Sequence, residues 1–301
     1  MDVDRTLGDI GAALHGIVTH SAARAAGVTQ RQLDHRVARG RLVRRHPGVY
    51  VVAGAPPTWE QSVLTATLAA GHGAVASHGS GAAVWDLHGS VRDRRVEVTV
   101  HRGHLPRIRG TRVHRSAVLA ESDAAVVHGI PVTSVTRTLV DLSASRGIGW
   151  LARAVDDAMR RNLTMLPDIR ECANRLTGAP GRRPSVIRLL VDERFGAGDG
   201  KTQSGLERVV LGLLLDAGIE EPVPQYEVIV EGHRYLLDFA WPEHKVALEA
   251  DGFGAHSGFG SFHDDRRRDL RLRRADWDVL HVTDETPTQE IVAAVQDALA
   301  L

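Results

Sequence analysis

The chain has one cysteine, Cys172, in 301 residues, so neither an intramolecular disulfide nor a cysteine-built zinc centre can form, as fits a reducing compartment. Lysine is almost as scarce. Lys201 and Lys245 stand against 35 arginines, a bias that genomic composition explains as readily as phosphate binding. No run approaches the roughly 18 apolar residues that a membrane span needs. The first residues, Met1-Asp-Val-Asp-Arg5, lack a signal-peptide core. Neither insertion nor export is expected, and the expected location is the cytoplasm.

With 43% hydrophobic residues, the chain can bury sizeable cores and fill two or three domains. Its charges sum to zero but are spread unevenly. Between residues 20 and 50, Arg24, Arg31, Arg36, Arg39, Arg41, Arg44 and Arg45 are opposed only by Asp34, a local net of about +6 that suits phosphate. The pattern predicts a small-residue helix over 21–26, a turn at Gly27-Val28, and a second helix opened by Thr29. Gln32 lies three residues on, the spacing of a capping box. In that second helix Leu33 and Val37, four apart, point inward, while Arg31, His35 and Arg39 form a stripe on nearly the opposite side. Residues 41–51 alternate around Pro47-Gly48 and read as a hairpin. Together these elements read as a winged helix-turn-helix, with Arg31, His35, Arg39, Arg44 and Arg45 as nucleic-acid contacts. A dimerisation or packing module is the other use of such a helical pair.

The middle of the chain carries less chemistry. Residues 58–70 read as a helix and 96–100 as a strand, and helices over 151–159 and 186–191 close an α+β region. Eight arginines between residues 91 and 117, against Asp93 and Glu97, are either an added phosphate surface or a solvated face. His78, Asp86, Arg137 and Asp141 lack a nucleophile elbow or oxyanion motif, so no independent active site is expected there. His101 and His104 lack the partners of a metal site. Phe195-Gly-Ala-Gly-Asp-Gly200 reads as a linker. The expected domains are therefore 1–56, 57–195 and 200–301.

Residues 235–269 are the most informative stretch. A helix is expected over 204–216 with Glu207 in its first turn, then strands over 223–230, 236–240 and 246–251. A basic helix over 263–274, a strand over 279–282 and a helix over 288–299 complete a three-layer α/β/α core. Strand alternation puts Glu249 and Asp251 on one face and Val246, Leu248 and Ala250 on the other. Pairing of the strand ending near Trp241-Pro242 with the one starting near Lys245 brings Asp238 to the same edge. Such carboxylates repel one another unless a cation sits among them.

Glu207, Asp238-Phe239, Glu249-x-Asp251-Gly252, His256 and Phe262-x-x-Asp265-Arg266-x-Arg268-Asp269 occur in that order. Through them residues 203–285 resemble the PD-(D/E)xK nuclease superfamily, and more closely bacterial domains related to the very-short-patch-repair endonuclease. Leu237 replaces the proline before the first acid, and Asp251 stands where the superfamily has lysine. The resemblance implies a restriction-endonuclease-like fold with Mg²⁺ (or Mn²⁺) held by Asp238, Glu249 and Asp251, and Glu207 close by. It nominates His256 in place of the lysine and Arg266 or Lys245 to neutralise a scissile phosphate. Alternatively, Glu207 is a helix-terminal charge, His256 bonds its own loop, and Arg266, Arg268 and Asp269 are an ion-pair network holding helix to sheet.

Residues 16–142 resemble the amino-terminal region of AbiEi-type antitoxins. The residues concerned are Gly48-Val-Tyr50, Ser77-His78-x-Ser80, Trp85-x-Leu87 and Gly129-Ile-Pro-Val-Thr-Ser-Val-Thr-Arg137-Thr138-Leu-Val-Asp141. That resemblance implies operator DNA and a cognate toxin as partners. The expectation is an α/β multidomain DNA-binding protein with a winged-helix amino terminus, an α+β middle domain and a carboxy-terminal endonuclease domain hydrolysing phosphodiesters. The alternative is a non-catalytic antitoxin-type regulator whose nuclease fold is inactive.

Overall fold

The computed structural model describes residues 2–101, 106–195, 202–251 and 261–300; the side chains of 193–195, 202–205, 251 and 261–266 lie outside that description. The chain forms two compact units, 1–138 and 139–301.

The first unit opens with α1 (Val3–Ala13), β1 (Ile17–Thr19), α2 (His20–Ala25), α3 (Gln30–Ala38), β2 (Leu42–His46) and β3 (Val49–Val52). Each helix start is capped by its own sequence. Asp2 accepts from the amides of Asp4 and Arg5, and Thr19 from that of Ala22. Thr29 and Gln32 form the reciprocal capping box that their spacing predicts. The strands pair antiparallel in the order β1-β3-β2, and β2 and β3 close around Pro47-Gly48 as the expected hairpin. Val3, Leu7, Val18, Ala23, Val28, Leu33, Leu42 and Tyr50 form the core of this motif. Helix α1 was not anticipated, although Val3, Leu7 and Ile10 behind the Asp2 cap have helical spacing.

The unit continues with α4 (Trp59–Ala70), β4 (Val75–Ala76), α5 (His78–Val84), β5 (Val96–His101), β6 (Thr111–Ser116), a 3-10 turn (Glu121–Asp123), β7 (Ala124–Val127) and β8 (Ile130–Thr133). These strands form a mixed sheet in the order β6-β5-β4-β8-β7. Ile17, Val49 and Val51 of the small sheet share a core with Val63 and Leu64 of α4 and with Val96, Val98, Ile130 and Val132. Packing is therefore continuous across residue 56, where the expected winged-helix domain ends. Helix α6 (Val135–Leu142) passes from one unit to the next.

The second unit contains α7 (Ile148–Arg160), α8 (Leu166–Arg175), α9 (Pro184–Phe195), α10 (Thr202–Asp216), β9 (Val223–Val230), β10 (His233–Trp241), β11 (Val246–Asp251), α11 (Ser261–Arg274), β12 (Asp278–Thr283) and α12 (Thr288–Leu299). Its sheet runs β12-β11-β10-β9, antiparallel except for the parallel pair β11/β12. Leu272 of α11 and Trp277 pack on Leu237, Ala240 and Ala247.

Helices α7 to α9 belong with this sheet rather than with the middle of the chain. A Cβ at Gly212 of α10 would meet the Leu189 side chain of α9, and one at Gly149 would meet Asp284. Thr288 donates to the Ser143 carbonyl at 2.6 Å, and Arg153 pairs with Asp284 and Glu285. The expected linker at 196–200 lies outside the described residues. No helix among the described residues is long and apolar enough to cross a membrane.

Candidate nucleic-acid interface and carboxylate site

The basic face of the small sheet motif is built from α3 and the β2/β3 hairpin. Leu33 is fully buried, while Arg31, His35 and Arg39 are exposed, as the helical period requires. Arg44 and Arg45 are exposed on β2, and the Arg44 guanidinium lies 5.6 Å from the centre of the Tyr50 ring. Arg44 also donates to the Tyr50 hydroxyl at 3.3 Å, so the wing holds it in place. Two arginines of the run already have a carboxylate partner. Arg36 and Arg41 both pair with Asp4 of α1 at 2.7 Å. Among the described residues, Arg31, Arg39 and Arg45 have no carboxylate partner.

The carboxylate site forms where β10 and β11 part. Their ladder runs Trp241↔Val246, Ala240↔Ala247 and Phe239↔Leu248. Beyond the last pair, Asp238 Oδ2 accepts from the Ala250 amide at 3.0 Å, and Gln225 donates to its Oδ1 at 3.3 Å. Glu249 is 6% exposed, and Arg268 of α11 donates to its Oε1 at 2.6 Å. His281 stands in register with Glu249 on β12 and approaches Asp269 at 3.5 Å. Burial pushes the Glu249 carboxyl up to about 7; the Asp238 charge adds to this, and Arg268 and His281 oppose it. Glu207 is also raised, first by burial and then by the charge of Asp238. The three acids therefore form one electrostatic group drawn from α10, β10 and β11.

Carboxylate oxygens of this kind suit a hard divalent cation, and Mg²⁺ commonly binds through only one or two carboxylates while keeping its waters. A cation between Asp238 and Glu249 would relieve the repulsion that adds to the effect of burial on Glu249 and Glu207. Against this, Arg268 already holds Glu249. Among the described residues no group of three or more histidine, cysteine, aspartate or glutamate side chains gathers closely enough to hold a metal. The Asp238 and Glu249 pair fits a water-rich Mg²⁺, not a closed all-protein cage.

A third polar cluster lies on the five-stranded sheet. His78 stacks on His114 with ring centres 3.6 Å apart, and His114 Nε2 lies 3.1 Å from Glu97 Oε1. The Gly79 amide donates to Glu97 Oε2 at 2.8 Å. Burial pushes Glu97 up, but His114, His78 and Gly79 together hold its pKa at about 2. Arg137, fully buried, pairs with Asp123 at 2.8 Å and donates to Ser116 and the Val118 carbonyl, while Arg182 pairs with Asp141. These pairings tie the residues to one another inside the fold.

Residues 12–53 match the family model for "Transcriptional regulator, AbiEi antitoxin". The match covers β1, α2, α3 and the β2/β3 hairpin, and so includes the elements that carry the exposed arginines. Across 263 residues the chain is 26% identical to "Uncharacterized protein MT2308" and "Uncharacterized protein Rv2248" of Mycobacterium tuberculosis, strains CDC 1551 / Oshkosh and ATCC 25618 / H37Rv. That alignment spans 85% of this chain and 90% of each relative. The crystal structure of RV2827C protein from Mycobacterium tuberculosis superposes with a TM-score of 0.36 at 16% identity, over 76% of this chain and 89% of that chain, too distant a fit to carry an argument.

Of the residues proposed from sequence for the amino-terminal segment, Arg31, His35 and Arg39 are exposed on and at the end of α3, and Arg44 and Arg45 are exposed on β2. In the carboxylate site Asp238 and Glu249 converge as expected. Glu207 joins them from the second turn of α10, since the helix begins at Thr202 rather than Ser204. Its reading as a first-turn helix charge is thereby corrected. Lys245 is also turned away: its Nζ donates to the Ala275 carbonyl at 3.1 Å and lies 3.4 Å from Asp276, because it sits at the end of β11 opposite Asp251. His256 and the side chains of Asp251 and Arg266 lie outside the described residues. Arg268 and Asp269, read from the sequence as part of an ion-pair network holding the helix to the sheet, do meet the sheet that way, Arg268 at Glu249 and Asp269 at His281. His281 was not anticipated and has no local signal, since its place depends on how β12 docks on β11.

Proposed function

We propose that this chain binds duplex DNA through its amino-terminal winged helix and acts there as a transcriptional regulator of the antitoxin kind. One observation carries the reading: α3 buries Leu33 and exposes Arg31, His35 and Arg39 beside a wing bearing Arg44 and Arg45. A helix of this kind is suited to the major groove, while the wing arginines are suited to flanking phosphates. The match of residues 12–53 to the antitoxin regulator family supports it. A cognate toxin is the further partner that such a family suggests. Arg31→Ala with Arg39→Ala should weaken binding and reduce the log–log salt slope by about 0.9 for each lost phosphate contact. An unchanged slope in a folded double mutant removes these residues from the interface.

A second activity is favoured by the shared electrostatics of Glu207, Asp238 and Glu249. We propose that the carboxy-terminal sheet is a metal-dependent phosphodiesterase site of the PD-(D/E)xK kind. Asp238 and Glu249 would hold Mg²⁺, with Asp251 at the strand end and Glu207 beside them. The chemistry such an ion supplies when bound is polarisation of a phosphate oxygen and a lowered pKa for water. Asp238, fixed by the Ala250 amide, keeps its carboxylate at the point where the strands part. Asp238→Asn should abolish Mg²⁺-dependent nicking of supercoiled DNA while duplex binding persists. Wild-type cleavage by this mutant would remove Asp238 from the site. If wild type and mutant both fail to cleave with Mg²⁺ or Mn²⁺, the carboxy-terminal unit is a non-catalytic scaffold.

A further inference from the structure

Arg268 is placed in a way that the carboxylate pair alone does not account for. Its Nη2 donates to Glu249 Oε1 at 2.6 Å and to the Leu236 carbonyl at 2.9 Å, and its guanidinium carbon lies 6.0 Å from the centre of the Tyr235 ring. The neighbouring cations are committed elsewhere. Arg271 donates to the Tyr235 hydroxyl at 3.1 Å and approaches Glu231, Arg274 also approaches Glu231, and Lys245 is tied to Ala275 and Asp276. Among the described residues, Arg268 is thus the arginine or lysine in contact with the acid pair. Its side chain is 25% exposed where that of Glu249 is 8% exposed, so the arginine is the more solvent-accessible of the two.

Resting on the metal-dependent reading above, we propose that Arg268 is the resident counter-cation of this site, holding Glu249 until a divalent ion takes that oxygen and then turning to the phosphodiester. A guanidinium has five N–H donors in a fixed fork, so it can keep the Leu236 carbonyl while exchanging Glu249 for a phosphate oxygen. The charges support the exchange. Asp238, Glu249 and Glu207 against Arg268 leave two negative charges, which a divalent ion would cancel, so that the guanidinium is no longer needed to offset the acids. Arg268 and the ion therefore compete for Glu249 before substrate arrives and act together afterwards.

The test is Mn²⁺ binding to the full-length protein, followed by calorimetry and by the electron paramagnetic resonance signal of free Mn²⁺, for wild type, Arg268→Gln, Arg268→Lys and Glu249→Gln. Removing the competing charge should tighten Mn²⁺ binding in Arg268→Gln by about tenfold, the scale of one charged contact. The same variant should lose DNA cleavage. Arg268→Lys keeps the charge but not the fork, so its affinity should fall between the two. If Arg268→Gln does not fold, Arg268→Lys decides by itself, and wild-type or weaker affinity in it overturns the proposal. Equal or weaker Mn²⁺ binding in a folded Arg268→Gln overturns the proposal yet leaves the metal site standing. Mn²⁺ binding in none of the four proteins overturns the metal-dependent reading itself, and the proposal with it.

Discussion

Glu249→Gln probes the electrostatic cost of the carboxylate site directly. Burial raises the Glu249 pKa from its ordinary 4.5 to about 7, with Asp238 adding to the rise and Arg268 opposing it. At about 1.36 kcal/mol per pKa unit, the ionised side chain costs the folded state about 3 kcal/mol above pH 7. Between pH 4.5 and 7 the unfolded chain has lost a proton that the folded chain keeps. Stability therefore falls as pH rises through that window and levels off above it. Glutamine keeps the shape and has no proton to lose, so the mutant lacks this slope. Arg268 is already counted in that shift, and part of the gain is returned because the buried amide NH2 needs a hydrogen-bond partner of its own. The expected net effect in EDTA at pH 8.5 is a stabilisation of about 1–2 kcal/mol, or about 2–8 °C in Tm. At pH 5 the difference should vanish or reverse. Thermal and urea unfolding at pH 5, 7 and 8.5 measures it. Adding Mg²⁺ should stabilise the wild type and leave the mutant unmoved, since an ion that binds only the native state adds to stability. A mutant less stable than wild type at pH 8.5, or a gap that does not change with pH, would refute the reasoning.

Glu97 should behave in the opposite sense. Its folded pKa of about 2 lies below the ordinary 4.5, so its contribution is present above pH 4.5 and lost as pH falls through 2. Acid unfolding followed by fluorescence should show Glu97→Gln flattening that limb by no more than about 2–3 kcal/mol, and an unchanged limb would count against the His114 contact. The packing of Leu189 on Gly212 predicts that residues 139–301 expressed alone unfold cooperatively, whereas 201–301 alone binds a hydrophobic dye and melts broadly. A sharp melt of the shorter fragment, matching that of the longer one, would remove α9 from the core.

What the sequence by itself determined is what short-range physics encodes. The Thr29 and Gln32 cap, the Pro47-Gly48 hairpin, the inward Leu33 against the outward Arg31 and Arg39, and the convergence of Asp238 with Glu249 follow from capping, turn chemistry and the helical and strand periods. Each involves residues a few positions apart, or one hairpin whose register its turn sets. The tertiary structure alone decided which charges remain available. Asp4 withdraws Arg36 and Arg41 from the basic face, Asp276 withdraws Lys245 from the carboxylates, and α10 carries Glu207 to Asp238. It also decided that α7 to α9 join the last sheet, and that Arg268 rather than a strand lysine stands against Glu249. Those pairings join residues as much as 145 positions apart, as Ser143 and Thr288 are, and depend on how helices dock onto sheets. Local periodicity fixes which way a side chain points from its own element, and only packing fixes what it meets there.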